Sequence, residues 1–382
     1  MTVDASPTPN AAHGARQIVL LGAGDAHLQV MTQLAATPLA GTVVTLVTAD
    51  SQRMMADMVP GLMLEHYTPA DCTIALQPLV QRGGFRWITQ SVTALDAANQ
   101  TLLLDDGNRL HFDWLSVNTT PTQDRTQIEQ AMPGAKEHAL FVRPLEAFAA
   151  LWPRVTKMGD ARALRITAIG ADTAGIELAF AARQRLPSAA VTLLCGHAPP
   201  ASHFPQRMRE RVMGLLKRHN ITVLQDMAVA IKSGFVQLGC GADLACDVPL
   251  LVTGTLPPMW LAESGLALDE QGFIAVDMSQ RSTSHSRIFA TGDTASRTDL
   301  PPMHCRANDR LAGPALAHNL VAAMVGGTPK SYQPNAAALN LLACGDRYAV
   351  GSWAGYSFEG RWVWWLKDRL DRQFAAQYQP PG

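Results

Sequence analysis

The chain contains one pattern twice, and this repetition constrains the fold more than any other feature of the sequence. The first copy runs from QIVLLGAGDAHLQVMTQLA into VVTLVTAD, and the second runs from RITAIGADTAGIELAFAA into VTLLCG. Each copy has a short apolar run, a Gly-containing turn, a stretch with helical spacing and another apolar run. Short apolar runs such as residues 18–21 and 166–169 are typical of strands buried in a parallel sheet. The sequence therefore predicts two β-α-β units.

Each predicted unit is followed by a stretch that favours antiparallel strands. Residues 85–121 alternate in polarity and are broken at Asn99-Gln100 and Asp106-Gly107, which are turn signals. Residues 229–254 show a similar pattern, with turn signals at 233–234 and 239–241. We interpret both stretches as β meanders inserted into the two halves of the chain.

Length and charge favour a multidomain protein that acts on small molecules. The chain has 382 residues, which exceeds what one hydrophobic core usually supports. Its formal net charge of -1 gives no broad field that would attract a nucleic acid, so no nucleic-acid partner is expected. The histidines show no metal-ligand spacing with each other or with the cysteines, and no metal site is predicted.

The predicted fold is α/β, with two Rossmann-like, three-layer dinucleotide-binding domains, inserted β meanders and a small C-terminal domain. Residues 1–15 are interpreted as a flexible tail. The first dinucleotide domain is expected to be split between residues 16–140 and 272–330, around a second one at 141–271. Residues 331–382 would form the C-terminal domain.

The cysteine pattern and the beginning of the chain favour a cytoplasmic location. The six cysteines are scattered without a C-x-x-C pair, which fits a reducing compartment. The first residues lack the basic start and apolar stretch of a signal peptide. No window is long and apolar enough to span a bilayer.

The first Gly-rich turn is a candidate cofactor site. Gly22 and Gly24, on either side of Ala23, allow a tight bend and a close approach of a pyrophosphate to the helix that begins near Asp25. His27 stands where a third glycine is usual. Thr48 stands where an acid would hold a ribose, which leaves ribose recognition open. The alternative interpretation is an ordinary tight βα turn.

The second Gly-rich turn departs from its usual pattern. Gly170, Asp172 and Gly175 occupy the G-x-G-x-x-G positions, so a carboxylate replaces the middle glycine. Close to two phosphates, that carboxylate would cost a few kcal/mol at an effective dielectric constant of about 20. The sequence therefore predicts weakened or lost NAD(P)H binding. Glu177 follows in the first turn of the helix, where it either faces a nicotinamide or is a simple helix-start charge.

Several of these segments together resemble the pyridine-nucleotide flavoprotein superfamily. They are the first G-x-G turn, MVPGLMLEHY, VNTTP, the second turn with GIELA, and TGD. Within the superfamily the chain resembles type II NADH dehydrogenases. It is most similar to the NADH-dehydrogenase-like domain fused to selenide, water dikinase, which the ending RWVWWLKDRLDRQF also resembles. The resemblance implies FAD, a nicotinamide domain, and a quinone or a similar acceptor.

The resemblance also assigns expected positions around the cofactor. Gly22 and Gly24 would lie at the FAD pyrophosphate, and Pro60 and Gly61 beside the isoalloxazine. Asp293, which follows Gly292, would lie at the ribityl or phosphate region. Thr119 and Thr120 would lie near the FAD as well.

A cysteine in the segment PPMHCRANDRLAGP is a candidate catalytic residue. The helix of this segment would point one end at the flavin, which singles out His304, Cys305 and Arg306. A thiolate beside a flavin can attack it or pass electrons, provided that neighbours such as Arg306 stabilise it. The alternative is a buried cysteine that acts as a small hydrophobic residue.

The predicted activity is that of an FAD-dependent oxidoreductase that passes electrons from NAD(P)H through FAD to a quinone or another acceptor. One alternative is direct oxidation of a thiol, sulfide, selenide or small organic substrate at the flavin. Another is a non-redox flavoprotein whose nicotinamide site has decayed. The oligomeric state stays open.

The C-terminal segment predicts an amphipathic helix. Val363, Leu366, Leu370 and Phe374 recur at helical spacing, among tryptophans and basic residues. Such a helix either attaches the protein peripherally to the inner face of an anionic membrane or packs on the flavin domain or a second subunit.

Overall fold

The structure is a computed structural model that describes residues 14–119, 123–253, 256–300, 306–334 and 338–379, without the side chains of 306–309. Within these ranges the strands are β1 Arg16–Leu21, β2 Thr42–Val47, β3 Gln52–Met54, β4 Thr73–Ala75, β5 Arg86–Ile88, β6 Val92–Asp96, β7 Thr101–Leu104, β8 Arg109–His111, β9 Trp114–Val117, β10 Leu140–Phe141, β11 Arg165–Ile169, β12 Ala190–Leu194, β13 Ile221–Leu224, β14 Ala228–Lys232, β15 Phe235–Leu238, β16 Asp243–Ala245, β17 Val248–Leu251, β18 Ile274–Val276, β19 Ile288–Ala290, β20 Ala295–Arg297, β21 Asn340–Ala343, β22 Ala349–Trp353 and β23 Tyr356–Gly360.

The α-helices of the same ranges are α1 Asp25–Ala36, α2 Val59–Met63, α3 Gln77–Gly83, α4 Arg125–Ala131, α5 Ala135–His138, α6 Leu145–Ala161, α7 Thr173–Arg185, α8 Gln206–Arg218, α9 Arg306–Val325 and α10 Arg361–Ala376. Short 3-10 helices cover Ala56–Met58, Met259–Leu261 and Gly292–Thr294.

Two parallel sheets form the framework, and each contains one of the predicted β-α-β units. The first sheet has the order β19-β9-β1-β2-β5, and α1 connects β1 to its parallel neighbour β2. The second has the order β10-β17-β11-β12-β13, and α7 connects β11 to β12. The mixed α/β fold with two dinucleotide-binding units is thus confirmed. The boundaries between the domains stay a prediction.

The antiparallel insertions are shorter than the sequence indicates. They consist of β6-β7-β8 and β14-β15-β16, while β5, β9 and β17 join the parallel sheets instead. The last residues of β9 and all of β17 are buried. A strand covered on both faces need not alternate in polarity, so the ends of the two predicted meanders belong to the sheet interiors.

The C-terminal region adds a small sheet, which packs against α7 and α8 of the second unit, and a helix, which contacts the first unit. Strands β21, β22 and β23 pair antiparallel, and α10 packs against β22 and β23. Helix α9 packs closely along α1, since a Cβ added at Gly313 would lie 2.9 Å from the carbonyl oxygen of Ala26.

Among the helices of the described residues, none is long and apolar enough to cross a membrane.

Candidate functional site

Asn118 connects the two segments that the sequence places at the first cofactor site. It follows β9 and is 5% exposed. Its carbonyl oxygen accepts the N–H of Gly24 at 3.0 Å, and its Oδ1 accepts the N–H of His27 at 3.2 Å. Its Nδ2 donates to the carbonyl oxygen of Thr291 at 3.0 Å. Asn118 therefore ties the first Gly-rich turn to the segment that carries Gly292 and Asp293.

The glycines of the first turn are required by this chain's own packing. A Cβ at Gly24 would lie 2.1 Å from Oδ1 of Asn118, and one at Gly22 would lie 2.5 Å from its carbonyl oxygen. Gly22 also has a φ of +88°, which disfavours other residues. A Cβ at Gly292 would lie 2.6 Å from Nδ2 of the same asparagine. The sequence pattern indicated a phosphate, and the structure adds Asn118 as a second reason for these glycines.

The His27 side chain connects the first Gly-rich turn to β9 of the first sheet by hydrogen bonds. The ring is fully buried, with Nδ1 2.6 Å from the carbonyl oxygen of Gly22 and Nε2 2.8 Å from Oγ of Ser116 on β9. A carbonyl oxygen only accepts, so Nδ1 carries the proton and Nε2 accepts from the hydroxyl. Burial lowers the pKa of His27 to about 4. Both ring nitrogens bind this chain, so the His27 ring shapes the turn, and its contact with a cofactor stays a prediction.

The groups that remain free around this turn match a ligand with phosphates and hydroxyls. At the start of α1, the N–H groups of Asp25 and Ala26 donate to none of the described residues. Thr119 Oγ1 is buried without a hydrogen-bond partner among them. Asp293 is half-buried and pairs with none of them either. Donors at a helix start suit a phosphate, and a carboxylate suits hydroxyls, so these residues fit a flavin dinucleotide.

Arginines neutralise the carboxylate of Asp25, which was predicted to lie at the cofactor. Nε and an Nη of Arg53 donate to Oδ1 of Asp25 at 2.9 and 2.8 Å. Nε of Arg310 lies 3.7 Å from Oδ2. The same guanidinium contacts Asp57 at 2.6 Å and Asp371 at 3.2 Å. The negative charge of Asp25 is therefore balanced, which lowers its repulsion of a phosphate at the helix start.

Two further predicted cofactor residues lie in the same half of the molecule. Thr48 is buried after β2, and its Oγ1 accepts the N–H of Asp50 at 3.4 Å. Pro60 is buried in α2, which packs against α7. A Cβ at the adjacent Gly61 would lie 2.2 Å from the ring of Tyr67. Contact of Thr48 and Pro60 with a flavin stays a prediction.

The second Gly-rich turn borders a cavity of about 240 Å³. The cavity lies where β11, β12 and β13 end, which is the place where α/β sheets commonly bind ligands. Its lining includes two carboxylates, Asp172 and Asp226, and apolar side chains such as Met132 and Met227. None of the described residues that line it is Lys, Arg or His.

Gly170 and Gly175 are fixed by close backbone contacts. Gly170 has a φ of +119°, and a Cβ there would lie 2.5 Å from the carbonyl oxygen of Val252. A Cβ at Gly175 would lie only 1.9 Å from the carbonyl oxygen of Gly170. Asp172 is the N-cap of α7, and its exposed side chain makes no capping hydrogen bond. A carboxylate at the turn, in a cavity whose described lining contains no cation, does not fit the pyrophosphate of NAD(P)H.

Glu177 lies away from this cavity. It is 1% exposed, and its Oε1 accepts the N–H of Ala343 on β21 at 2.9 Å. The side chain therefore faces the C-terminal sheet and is not part of the cavity lining. Helix α7 begins at Thr173 and has no acidic residue in its first turn, so the predicted position of Glu177 in that turn, as a helix-start charge, is wrong. A catalytic role for Glu177 stays a prediction.

The remaining catalytic candidates lie outside the described residues. These are Cys305 and the neighbouring His304, and Thr120 near the first turn is outside them too. The five described cysteines form no disulfide. Burial raises the pKa of Cys72 to about 12 and that of Cys195 to about 11, which keeps both thiols protonated.

Helix α10 buries one face on the first unit and exposes another. Lys367 Nζ donates to the carbonyl oxygen of Asp57 at 2.7 Å and to Asp371 Oδ2 at 2.8 Å. Trp362 and Trp365 are 57% and 58% exposed. The predicted packing on the first unit is therefore present, and two tryptophans remain on the outer face.

Comparison with known proteins agrees with this architecture. The sequence model described as pyridine nucleotide-disulphide oxidoreductase matches residues 16–322. The alternative NAD(P)H-ubiquinone oxidoreductase C1 of Arabidopsis thaliana is 26% identical over 225 residues, which are 52% of this chain and 43% of that protein. The chain thus matches less than half the length of that relative.

Solved structures are similar over almost the whole chain. The sulfide:quinone oxidoreductase of Aquifex aeolicus superposes with a TM-score of 0.80 at 16% identity, covering 95% of this chain and 91% of that one. The Plasmodium falciparum NDH2 in complex with NADH gives a TM-score of 0.75 at 12% identity, covering 96% and 99%. At these identities the likeness concerns the fold.

Proposed function

Since the chain belongs to the pyridine nucleotide-disulphide oxidoreductase family and is a flavin-dependent oxidoreductase, we propose that its flavin is FAD, bound at the Gly22-Ala23-Gly24 turn. The finer likeness to the domain fused to selenide, water dikinase stays a prediction. The flavin would pass electrons from a small-molecule donor to a quinone or a similar acceptor.

The observation that carries this proposal is the set of unpaired polar groups around Asn118. The free N–H groups of Asp25 and Ala26 would donate to the pyrophosphate. Thr119 Oγ1 and the Asp293 carboxylate would bind hydroxyl or phosphate oxygens of the same ligand. Leaving these groups unpaired when buried is unfavourable, so a polar ligand is the simplest way to satisfy them.

The chain's own residues would position the cofactor and balance the negative charge of Asp25 near its pyrophosphate. Arg53 and Arg310 balance Asp25, so the start of α1 keeps its attraction for an anion. His27 and Asn118 hold the turn rigid against β9. When bound, the flavin supplies two-electron transfer between donor and acceptor, while the protein supplies position and electrostatics.

We place the acceptor side of the reaction at a membrane surface. The exposed faces of Trp362 and Trp365 are accompanied by the exposed Arg361 and Arg369 on α10. Tryptophans with basic residues suit the headgroup boundary of an anionic membrane. Peripheral contact with the inner face of the membrane would bring the protein to a quinone, and we test it by cosedimentation with anionic vesicles. A Trp362→Ser/Trp365→Ser variant should lose that cosedimentation, and unchanged binding would overturn this part of the proposal.

A second candidate concerns the electron donor. NAD(P)H is the donor that the resemblance implies, but the Asp172 carboxylate at the second Gly-rich turn does not fit its pyrophosphate. That observation favours direct reduction of the flavin by a thiol, a sulfide, a selenide or a small organic substrate. The non-redox alternative predicts that none of these donors reduces the flavin.

An anaerobic titration tests both points. The flavin released from the purified protein is identified as FAD or FMN by chromatography, and the bound flavin is then titrated with NADH, NADPH and sodium sulfide. Bleaching at stoichiometric NADH supports a nicotinamide donor despite Asp172, and bleaching by sulfide alone supports the second candidate. Protein that binds FMN in place of FAD, or no flavin, would overturn the main proposal.

A matched pair of variants tests the location of the site. Asp293→Ala should weaken FAD binding about tenfold, which corresponds to the loss of about 1.4 kcal/mol of hydrogen bonding. Asp243→Ala removes an exposed carboxylate of the second meander and should leave FAD affinity unchanged. Equal affinities for the two variants would contradict the assignment of Asp293.

A further inference from the structure

A series of ion contacts leads from the C-terminal helix to the first Gly-rich turn. On α10, Nζ of Lys367 lies 2.8 Å from Oδ2 of Asp371. The other oxygen of that carboxylate lies 3.2 Å from an Nη of Arg310 on α9. Nε of Arg310 lies 3.7 Å from Oδ2 of Asp25, the first residue of α1. Charges on α10 and at the turn therefore belong to one connected cluster.

Lys367 also fixes a second carboxylate partner of Arg310. Its Nζ donates to the carbonyl oxygen of Asp57 at 2.7 Å, and the Asp57 carboxylate lies 2.6 Å from the Arg310 guanidinium. Asp57 is thus held through its main chain by Lys367 and through its side chain by Arg310. The surroundings of Arg310 therefore depend on Lys367 in two ways, through Asp371 and through Asp57.

The cluster is largely buried under α10. Cζ of Arg310 lies 4.3 Å from the centre of the Phe374 ring. The Lys367 and Asp371 side chains are 9% and 6% exposed. Where water is excluded, the interaction between two charges is screened less and extends over a longer distance.

Both cations of α9 and α10 in this cluster stay charged. Burial lowers the pKa of Lys367, but the carboxylates of Asp371 and Glu177 act in the opposite direction, and the net effect raises it above its usual value. The same balance, with Asp57 as the strongest neighbouring acid, raises the pKa of Arg310. Lys367 and Arg310 are therefore protonated at neutral pH.

The sign of a charge change in this cluster determines how an anion at the start of α1 responds. A unit charge about 12 Å from an anion changes its binding constant about tenfold at an effective dielectric constant of about 20. Loss of the Lys367 cation would add one net negative charge and disfavour the anion. Loss of the Asp371 carboxylate would remove one negative charge and favour it.

We propose that Lys367 is a positioning residue for the flavin: through Asp371, Asp57 and Arg310 it sets the charge that the pyrophosphate meets at the start of α1. The C-terminal helix would thus complete the cofactor site from a distance, without touching the flavin. This inference rests on the proposed function, because it takes the pyrophosphate to lie at the first Gly-rich turn.

Equilibrium dialysis of the full-length protein against FAD tests the proposal through the sign of the effect. Lys367→Met should bind FAD about tenfold more weakly than the wild type, and Asp371→Asn should bind it more tightly. The double variant Lys367→Met/Asp371→Asn restores the net charge and should return to within about threefold of the wild type. A purely structural role predicts weaker binding in both single variants and no recovery in the double variant.

A matched control comes from the exposed ion pair of the same helix. Arg372 lies 3.0 Å from Asp368, and its side chain is 48% exposed. Arg372→Met removes one cation, as Lys367→Met does, but it should change FAD affinity less than twofold because water screens the exposed charge.

The outcomes separate this inference from the proposed function. Weaker FAD binding by Asp371→Asn would overturn the inference, and this variant decides the question even where Lys367→Met does not fold. Equal losses in Lys367→Met and Arg372→Met would overturn it as well. In both cases a wild type that binds FAD leaves the proposed function standing, whereas a wild type that binds no FAD would overturn both.

Discussion

Lowering the pH should destabilise the protein through His27. The folded state holds this ring with a pKa of about 4, whereas an unfolded histidine has a pKa near 6.5. Because the pKa is depressed, the contribution of His27 to the free energy of unfolding is fully present above pH 6.5. It is lost as the pH falls towards 4, because in this range only the unfolded state takes up the proton. From these two values the loss between pH 7 and pH 5 is about 2 kcal/mol.

The assay is equilibrium urea unfolding at pH 7, 6 and 5, at a fixed FAD concentration, for the wild type and for His27→Gln. Glutamine does not titrate, so the free energy of unfolding of His27→Gln, although lower than that of the wild type at pH 7, should depend less on pH. The difference in unfolding free energy between the two proteins should therefore shrink by about 2 kcal/mol between pH 7 and pH 5. His197→Gln, which removes an exposed imidazole, is the control and should follow the wild type. Parallel pH profiles for the wild type and His27→Gln would refute the reasoning.

Three further substitutions test the contacts that shape the two halves of the molecule. Asn118→Ala leaves the N–H of His27 and the carbonyl of Thr291 without their partner, and we expect a loss of about 1–3 kcal/mol in urea unfolding together with weaker FAD binding; normal FAD affinity would contradict the role of Asn118. Lys367→Met removes one member of a buried ion pair and should cost about 3 kcal/mol, whereas Arg372→Met, in an exposed pair, should cost less than about 1 kcal/mol; equal losses would count against a buried network. Gly175→Ala should lower the melting temperature because its Cβ meets the carbonyl oxygen of Gly170, while Gly214→Ala, in the open interior of α8, should raise it slightly; a neutral Gly175→Ala would show that the second turn can relax.

Most of the framework was predictable because it repeats. The two βαβ units, the Gly-rich turns and the C-terminal helix follow from local spacing, and each lies where the sequence indicated. The meander ends did not, because β9 and β17 pair within the parallel sheets and bury most of their residues there. Polarity alternation alone does not distinguish such a strand from an antiparallel one.

The candidate site was predictable in its turns but not in the side chains that complete them. Asn118 lies in the quoted VNTTP segment, and an asparagine directly after an apolar strand was the available signal. Arg310 carried no local signal, since its partners Asp25, Asp57 and Asp371 come from three separate parts of the chain. Asp226 lies 54 positions after Asp172, and both residues line one cavity because only β12 separates β11 from β13 in the second sheet.

The sequence by itself determined the β-α-β repeat, the glycines at both turns and the unusual Asp172, because turn geometry and helical spacing depend on residues that are close along the chain. Only the tertiary structure decided what those residues contact. It directs the His27 ring to Ser116 and Glu177 to the C-terminal sheet, and it brings Asp172 and Asp226 to the lining of one cavity. Burial and charge pairing are set by segments far apart in sequence, so they become defined only when the sheets and helices pack.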